Sequence, residues 1–371
     1  MYLENLELQH FRNYENIQID FSPKINVLLG KNAQGKTNLL EAIYVLALTR
    51  SHRTSNDKEL LQFGQSSAVI KGILHKKVSQ WPVELLINKN GKKGRVNHLD
   101  VSRLSDYVGK CNVILFAPED LALVKGAPAI RRRFIDMEFG QIAPGYLYEL
   151  TQYRSVLKQR NLYLKQLQTK SASDLLYLQI LSEQLAKHGA KIIQKRLAFL
   201  TQLETYAQKL HAQITQQKET LTIRYQTFLK DYQDLTLAEL EEQINLKYQQ
   251  NQAKEIFQGK TLIGPHRDDI VFLVNDKDVQ VYGSQGQQRT VALAVKLAEI
   301  DVMYAKTGEY PILLLDDVLS ELDGTRQTHL LKAIQSKVQT FLTSPALSDV
   351  AQQLIEEPRI FQIENGQITR I

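Results

Sequence analysis

A single cysteine, Cys111, stands in 371 residues. One thiol makes an internal disulfide impossible and suits a reducing cytosol. Long apolar runs are missing: Ile43 to Leu48 is among the longest, and a membrane helix needs about 20 apolar residues. The opening MYLENLELQHF carries acidic residues and no long apolar core, so it does not read as a signal peptide. These absences predict a soluble, cytoplasmic protein without a membrane partner. Proline and glycine are nearly absent between residues 150 and 260, where Gln, Lys and Leu dominate. That composition favours helix. The stretch is too short for a long coiled-coil arm, which needs many sustained heptads, so a compact helical insertion is expected.

Charge of one sign is also in short supply. The net charge is +6. Residues 151–260 hold 16 Lys+Arg against 10 Asp+Glu, a difference of +6; the remainder then holds 46 − 16 = 30 and 40 − 10 = 30 and is neutral. A mild basic excess is compatible with nucleic acid without specifying it. Its confinement to one segment suggests a boundary there. Apolar residues at 43% can fill a sizeable core.

What is present begins with Gly30 to Thr37, GKNAQGKT, which reads G-x-x-x-x-G-K-T. The apolar run Ile25 to Leu29 precedes it as a buried strand, and Asn38 to Ile43 follows as a helix start. Strand, loop and helix in that order are the context a phosphate-binding loop requires. Gly30 and Gly35 let backbone N–H groups turn around an anion, and the helix N-terminus adds positive potential. Lys36 supplies a charge for the β- and γ-phosphates, and Thr37 a hydroxyl for Mg²⁺. The chain is therefore expected to bind ATP or GTP.

Further along, Ile17, Ile19 and Phe21 alternate as a half-buried strand, and Val69 to Leu74 and Val83 to Asn88 read as strands. Lys89 to Gly94 reads as a hairpin turn whose Lys92 and Lys93, with Arg95, either touch a phosphate backbone or lie solvated. CNVILF, Cys111 to Phe116, is a buried strand. Arg131-Arg132-Arg133 either binds phosphates or pairs with internal carboxylates. Leu150, Tyr153, Leu157, Leu164 and Leu167 predict one amphipathic helix, and a second pattern runs to about Leu210. Leu221 to Tyr225 alternates as a strand, and Leu235 to Phe257 reads as helix. Asn275-Asp276 turns strand Ile270 to Val274 back into Val279 to Tyr282. Gly283 to Arg289 reads as a turn before a helix from Thr290 to about Lys306, a second potential anion site. Ile312 to Leu315 is an apolar strand ending in two carboxylates. Asp316 is expected to hold Mg²⁺ and Asp317 to orient or polarise the attacking water.

The order of phosphate loop, helical insertion, S-Q-G-Q turn, Asp-Asp strand and S-E-L-D resembles the ABC-type ATPases, and among them the SMC-like heads that act on DNA. Phe11-Arg12-Asn13-Tyr14 and NVLLGKN from Asn26 look like that branch. FAPEDLALVKGAPAIRRRFID from Phe116, GPHRDD from Gly264 and GSQGQQRT from Gly283 resemble the RecF family of bacterial recombination mediators across essentially the whole chain. The resemblance implies an α/β fold, a P-loop NTPase of ABC/SMC-head type with a mostly helical inserted second domain. The expected parts are a head at 1–122 and 262–371 and an insertion at 123–261.

By that resemblance Gly30, Lys31, Asn32, Ala33, Gln34, Gly35, Lys36 and Thr37 form the Walker A loop, and Ser284, Gln285, Gly286 and Gln287 the signature that faces a second subunit's nucleotide. Thr37 and Asp316 would hold Mg²⁺, and Lys36, Asp317 and Ser284 would carry catalysis. Ser320 to Asp323 would be the D-loop, and Glu119 falls in the region of the glutamine loop. Gln285 replaces a glycine usual in transporters, and Asp317 replaces a common glutamate, which implies slow hydrolysis. Thr343 or Ser344 stands near the position of the usual histidine. The implied function is an ATP-dependent homodimer on double- and single-stranded DNA at gaps and junctions. It would assist RecA loading with RecO and RecR, with links to replication-fork recovery and the SOS response. A transporter-type or other ABC ATPase subunit, or a P-loop small-molecule kinase, is the alternative. The kinase would not need Ser284 to Gln287.

Overall fold

The structure is a computed structural model describing residues 1–335, 337–346 and 349–371, without the side chains of Glu321, Asp349, Val350 and Ala351. Its strands are, in chain order, β1 (Tyr2–Phe11), β2 (Tyr14–Asp20), β3 (Ile25–Leu29), β4 (Ser67–His75), β5 (Gln80–Asn88), β6 (Gly91–Val96), β7 (Leu99–Asp100) and β8 (Val113–Phe116). They continue with β9 (Leu221–Gln226), β10 (Asp269–Val274), β11 (Lys277–Asp278), β12 (Ile312–Asp316), β13 (Thr340–Ser344), β14 (Arg359–Glu364) and β15 (Gln367–Arg370). The described residues pack into two compact units. One comprises Met1–Leu121, Lys209–Lys218 and Ala292–Ile371, the other Ala122–Gln208 and Glu219–Val291.

The first unit holds two sheets. One is ordered β15-β14-β3-β13-β12-β8, with β14, β3, β13, β12 and β8 running parallel. Parallel strands are covered on both faces and so read as continuous apolar runs; INVLL, ILLLD and VILF are buried along almost their whole length. The other sheet, β2-β1-β4-β5-β6-β7, is antiparallel. Its β4 alternates half-buried and buried residues, the pattern of a sheet with one covered face. In the parallel sheet Asp316 pairs with Thr343, and Ser344 with Leu29. Three strand ends therefore lie side by side at the carboxyl edge, where open α/β sheets bind ligands.

The second unit is mostly helical, with helices Pro128–Ile142, Pro144–Gln168 and Leu237–Gln258, most of Leu175–Ile214, and the sheet β11-β10-β9. Six residues of β9 pair with β10. That ladder ties residues 269–274 to the helical unit, which runs on to Val291 where the sequence reading closes the insertion at 261.

Val279–Tyr282, expected as a strand, is a short helix, because the β10–β11 hairpin lasts only two pairs and the Asp278 side chain then caps the Gln280 N–H at 2.8 Å.

Buried arginines organise this unit. Arg160 donates to Glu255 at 2.7 Å, Thr261 at 2.8 Å and Ser182 at 3.0 Å, and lies over the Tyr248 ring. Arg196 donates to Asp136 at 2.8 Å, to the Pro265 carbonyl at 2.7 Å and to the Tyr146 hydroxyl at 2.9 Å. Arg131 grips Asp269 through two bonds of 2.7 and 2.8 Å, and Arg132 donates to the Asp268 carbonyl. Of the two readings of the arginine triplet, internal pairing therefore holds for Arg131, while Arg133 stays exposed. The GPHRDD cluster is an internal brace: Tyr225 donates to Asp268, and the Tyr153 hydroxyl meets His266 Nδ1 at 2.7 Å.

Two outcomes follow from this network. Arg160→Met leaves the buried Glu255 carboxylate without its cation, with the Leu262 N–H still donating to it, a loss of about 3–5 kcal/mol that urea denaturation would read. Burial pushes the His266 imidazole down to about 4. A depressed folded-state value gives stability that is complete above about 6.5, the unfolded histidine value, and is lost as pH falls towards 4. The stability of the native chain relative to His266→Asn, followed by urea midpoints, is expected to fall across that window.

Candidate nucleotide site

The site is built from the loop upward. β3 ends at Leu29 and the helix Lys36–Leu48 begins at Lys36, so Gly30 to Gly35 is the connection. Gly30 has φ +156°, and a Cβ there would lie 2.4 Å from the Ile363 carbonyl oxygen on β14. Gly35 has φ +118° and caps the helix; a Cβ would meet Asn13 Nδ2 at 2.7 Å. No larger residue fits either place without moving backbone or the Asn13 side chain.

Neighbouring segments strap the loop. Tyr14 donates its hydroxyl to the Gly35 carbonyl at 2.9 Å. The turn between β14 and β15 reaches Gln34 twice: the Gly366 N–H donates to its carbonyl at 3.1 Å, and the Asn365 N–H to its Oε1 at 2.6 Å. Glu41, fully buried four residues after Thr37, takes two bonds of 2.8 Å from Arg12 and one of 2.5 Å from Ser51. Arg53 bonds Asn38 at 2.8 Å. Sequence reasoning did not assign Glu41, Asn365 or the Ser51–Arg53 segment to this place. A carboxylate one turn into the helix is the trace of the first, and long-range packing alone brings in the others.

The chemistry-bearing side chains converge at the strand ends. Lys36 is 7% exposed and donates to the carbonyls of Gly30 and Lys31, the latter at 3.0 Å. Burial lowers its pKa, while Asp317 and Asp316 pull it back up. Asp316 Oδ1 accepts the Thr37 hydroxyl at 3.0 Å and the Thr343 hydroxyl at 2.8 Å. Thr343 in turn accepts the Asp317 N–H at 2.9 Å. Asp317 sits in the left-handed region, φ +52°, which turns the chain sharply after β12. Its Oδ1 is buried and makes no hydrogen bond. A buried, unsatisfied carboxylate oxygen costs about 1–3 kcal/mol or more, so this atom is suited to a donor that arrives with a ligand. A hydroxyl and a carboxylate 3.0 Å apart, beside the Lys36 ammonium, are oxygen donors that would suit a divalent cation. Lys31, Asn32, Ala33 and Gln34 form the loop crest, with Ala33 at φ +65°.

Ser320 donates to the Asp317 carbonyl, and Asp323 caps the next helix through the Arg326 N–H. Thr343, not Ser344, holds the two carboxylates together; Ser344 donates to the Ala346 carbonyl.

The signature residues lie in the helical unit. Helix Gln285–Thr307 starts five residues before the expected Thr290, because Ser284 and Gln287 form a reciprocal cap. The Ser284 N–H donates to Gln287 Oε1 at 2.9 Å and the Gln287 N–H to Ser284 Oγ at 3.2 Å. Gln287 also donates to Glu219 at 2.9 Å. Ser284 and Gln285 remain exposed at a helix N-terminus, with Gly286 half-buried behind them. Such an end attracts anions.

Of the basic residues near the β5–β6 turn, Lys92 donates to the Thr49 carbonyl and Asp57, and Arg95 pairs with Asp100 and Glu84. Lys93 stays exposed.

Comparison with known proteins agrees with this geometry. A family model described as the RecF/RecN/SMC N terminal domain matches residues 2–369. The chain is 66% identical over 369 residues to the DNA replication and repair protein RecF of Ligilactobacillus salivarius, covering 100% of this chain and 97% of that protein. It is 59% identical to the protein of the same name from Latilactobacillus sakei, with 99% and 98% covered. Among solved structures, the recombination mediator protein RecF bound to ATP, in the RecFOR pathway, superposes with a TM-score of 0.92 at 32% identity, covering 100% and 97%. An SMC head bound to the C-winged helix domain of ScpA, at TM-score 0.57 and 14% identity, shares the fold alone. The fold is that of a P-loop ABC/SMC-type ATPase, and the chain belongs to the RecF branch of the RecF/RecN/SMC N-terminal domain family.

Proposed function

We propose that the chain is an ATP-switched DNA-binding protein of DNA replication and recombinational repair, working in the cytoplasm. The observation that carries the reading is the cluster Lys36, Thr37, Asp316 and Asp317, closed around one buried oxygen that lacks a partner. Similarity to a RecF solved with ATP supports ATP as the nucleotide.

Backbone N–H groups of Gly30 to Thr37 and the Lys36 ammonium hold the β- and γ-phosphates, and Thr37 and Asp316 hold Mg²⁺. Mg²⁺, when bound, neutralises charge on the phosphate oxygens. Asp317 orients the attacking water and accepts its proton. Aspartate is one methylene shorter than the glutamate common at this position, so hydrolysis is slow and serves as a switch. The cluster serves one side of a triphosphate. An exposed helix N-terminus at Ser284 to Gln287 is shaped to close the other side in a second copy, excluding water from the phosphates. ATP thus drives a homodimer, and DNA stimulates its weak ATPase. The similarity to recombination mediator proteins of the RecFOR pathway supports recombinational repair with RecO and RecR as partners. Our reading extends this to DNA gaps and double-strand/single-strand junctions as the target, to the loading of RecA and to the SOS response.

Sedimentation with ATP and Mg²⁺, with ADP, and without nucleotide tests the switch. An ATP-specific dimer that retains a gapped duplex is expected; a monomer under all three conditions refutes it. Asp317→Asn is expected to slow turnover by about 10²–10⁴-fold, the usual contribution of a general base, and to prolong the ATP-bound dimer. Ser284→Ala is expected to leave nucleotide binding to the monomer intact and abolish ATP-dependent association. Turnover left intact in that variant, with no ATP-dependent association of the native chain, would instead favour the kinase reading.

A further inference from the structure

The β11-β10-β9 sheet has an outer edge at β9. In an antiparallel pair, alternate residues turn their N–H and C=O groups away from the partner strand. On β9 those are Leu221, Ile223 and Tyr225. Among the described residues no further strand pairs with them. Two side chains do: the Ile223 N–H donates to the Glu204 carboxylate at 3.0 Å, and the Tyr225 carbonyl accepts the Tyr232 hydroxyl. A carboxylate and a phenol thus satisfy groups that a strand would otherwise pair.

Beside this edge runs an open groove of about 480 Å³, within the roughly 300–1,000 Å³ of ligand sites. Its walls are Leu197, Leu200 and Thr201 of helix Leu175–Ile214 on one side, and Ile223, Tyr225 and Tyr232 on the other. Proteins commonly guard an edge by making it very short, or by charge, proline or a bulge. β11, the opposite edge, is two residues long. β9 has six residues, LTIRYQ, no proline and a continuous register with β10; Arg224 is its only charge. Its protection is the two side-chain caps, Glu204 from helix Leu175–Ile214 and Tyr232.

We propose that the β9 edge and its groove form a docking site for an extended peptide segment of a partner protein, which adds a fourth strand to this sheet. The segment would supply a carbonyl to the Ile223 N–H and an N–H to the Tyr225 carbonyl, displacing Glu204 and Tyr232. Main-chain bonds of this kind give affinity, and alternate side chains give specificity. The half-buried Leu197 and the buried Leu200 favour an apolar side chain at the position facing the helix. The occupant is therefore a proline-free segment with an apolar residue at the place that faces Leu197 and polar residues towards Thr201, Arg224 and Gln233. The site is independent of the nucleotide reading, because all its residues lie in the helical unit.

A phage-displayed library of random twelve-residue peptides, selected on the full chain, tests this. Thr201 is exposed and its hydroxyl bonds only its own helix at the Leu197 carbonyl, so Thr201→Trp fills the groove without disturbing the core. Enriched peptides are expected to bind Thr201→Trp at least tenfold more weakly. They should bind Glu204→Ala severalfold more tightly, because the competing carboxylate is gone; a purely structural Glu204 would leave affinity unchanged. Peptide should also slow amide exchange at Ile223 and Tyr225. The proposal is overturned if no peptide is enriched. It is equally overturned if enriched peptides bind native chain and Thr201→Trp alike and protect other amides, or if Thr201→Trp alone changes the oligomeric state, which would make a second copy the occupant.

Discussion

One carboxylate oxygen ties the candidate nucleotide site together. Asp316 Oδ1 accepts hydroxyls from Thr37, at the start of the helix after the phosphate loop, and from Thr343, at the end of β13. β13 lies between β3 and β12 in the sheet. The Gly30–Thr37 loop and the acidic strand end thus follow strands that are not neighbours in the sheet, and the hydroxyls of Thr37 and Thr343 join them through Asp316. Thr343 also receives the Asp317 N–H, which holds the second carboxylate in its left-handed turn. A strained residue persists only where its surroundings over-determine it, and here the hydroxyl of Thr343 is one of the constraints. The chain needs no histidine at this place to position Asp317.

The helical unit follows a different logic. Its polar interior concentrates charge: Arg131, Arg160 and Arg196 are nearly fully buried, each with a carboxylate. Buried ion pairs add little net stability, since desolvation offsets attraction, but they penalise any packing that separates the partners. The pairs here join distant segments, such as Arg131 with Asp269 and Arg160 with Glu255. The first joins a helix to β10 and the second joins two helices, so a shift of either contact would strand a buried charge.

Legibility followed range of interaction. Walker A, the Asp-Asp strand and the amphipathic helices depend on neighbours within a few residues, and their spacing is visible in the chain. The arginine triplet was not legible in that sense. Binding a phosphate and pairing with Asp269 place the same demand on Arg131, and the partner lies 138 residues away. The start of helix Gln285–Thr307 is an exception to that rule, because the interaction that sets it is local. Gly283 and Gly286 suggest a turn, while the Ser284–Gln287 cap, a local pair, overrides them.

By itself, the sequence determined that a G-x-x-x-x-G-K-T loop sits between a buried strand and a helix, that two carboxylates close a second buried strand, and that a glycine- and proline-poor, mostly helical stretch lies between them in the chain. These are short-range consequences of side-chain size, backbone freedom and hydrophobic period. Only the tertiary structure decided which cations are free. It consumed Arg131 and Lys92 in internal bonds and left Arg133 and Lys93 exposed. It alone brought the Asn365–Gly366 turn to Gln34 and opened the β9 edge between Glu204 and Tyr232. Partner choice for a charge or a backbone group is settled by distance in space, and residues far apart in the chain compete for it on equal terms.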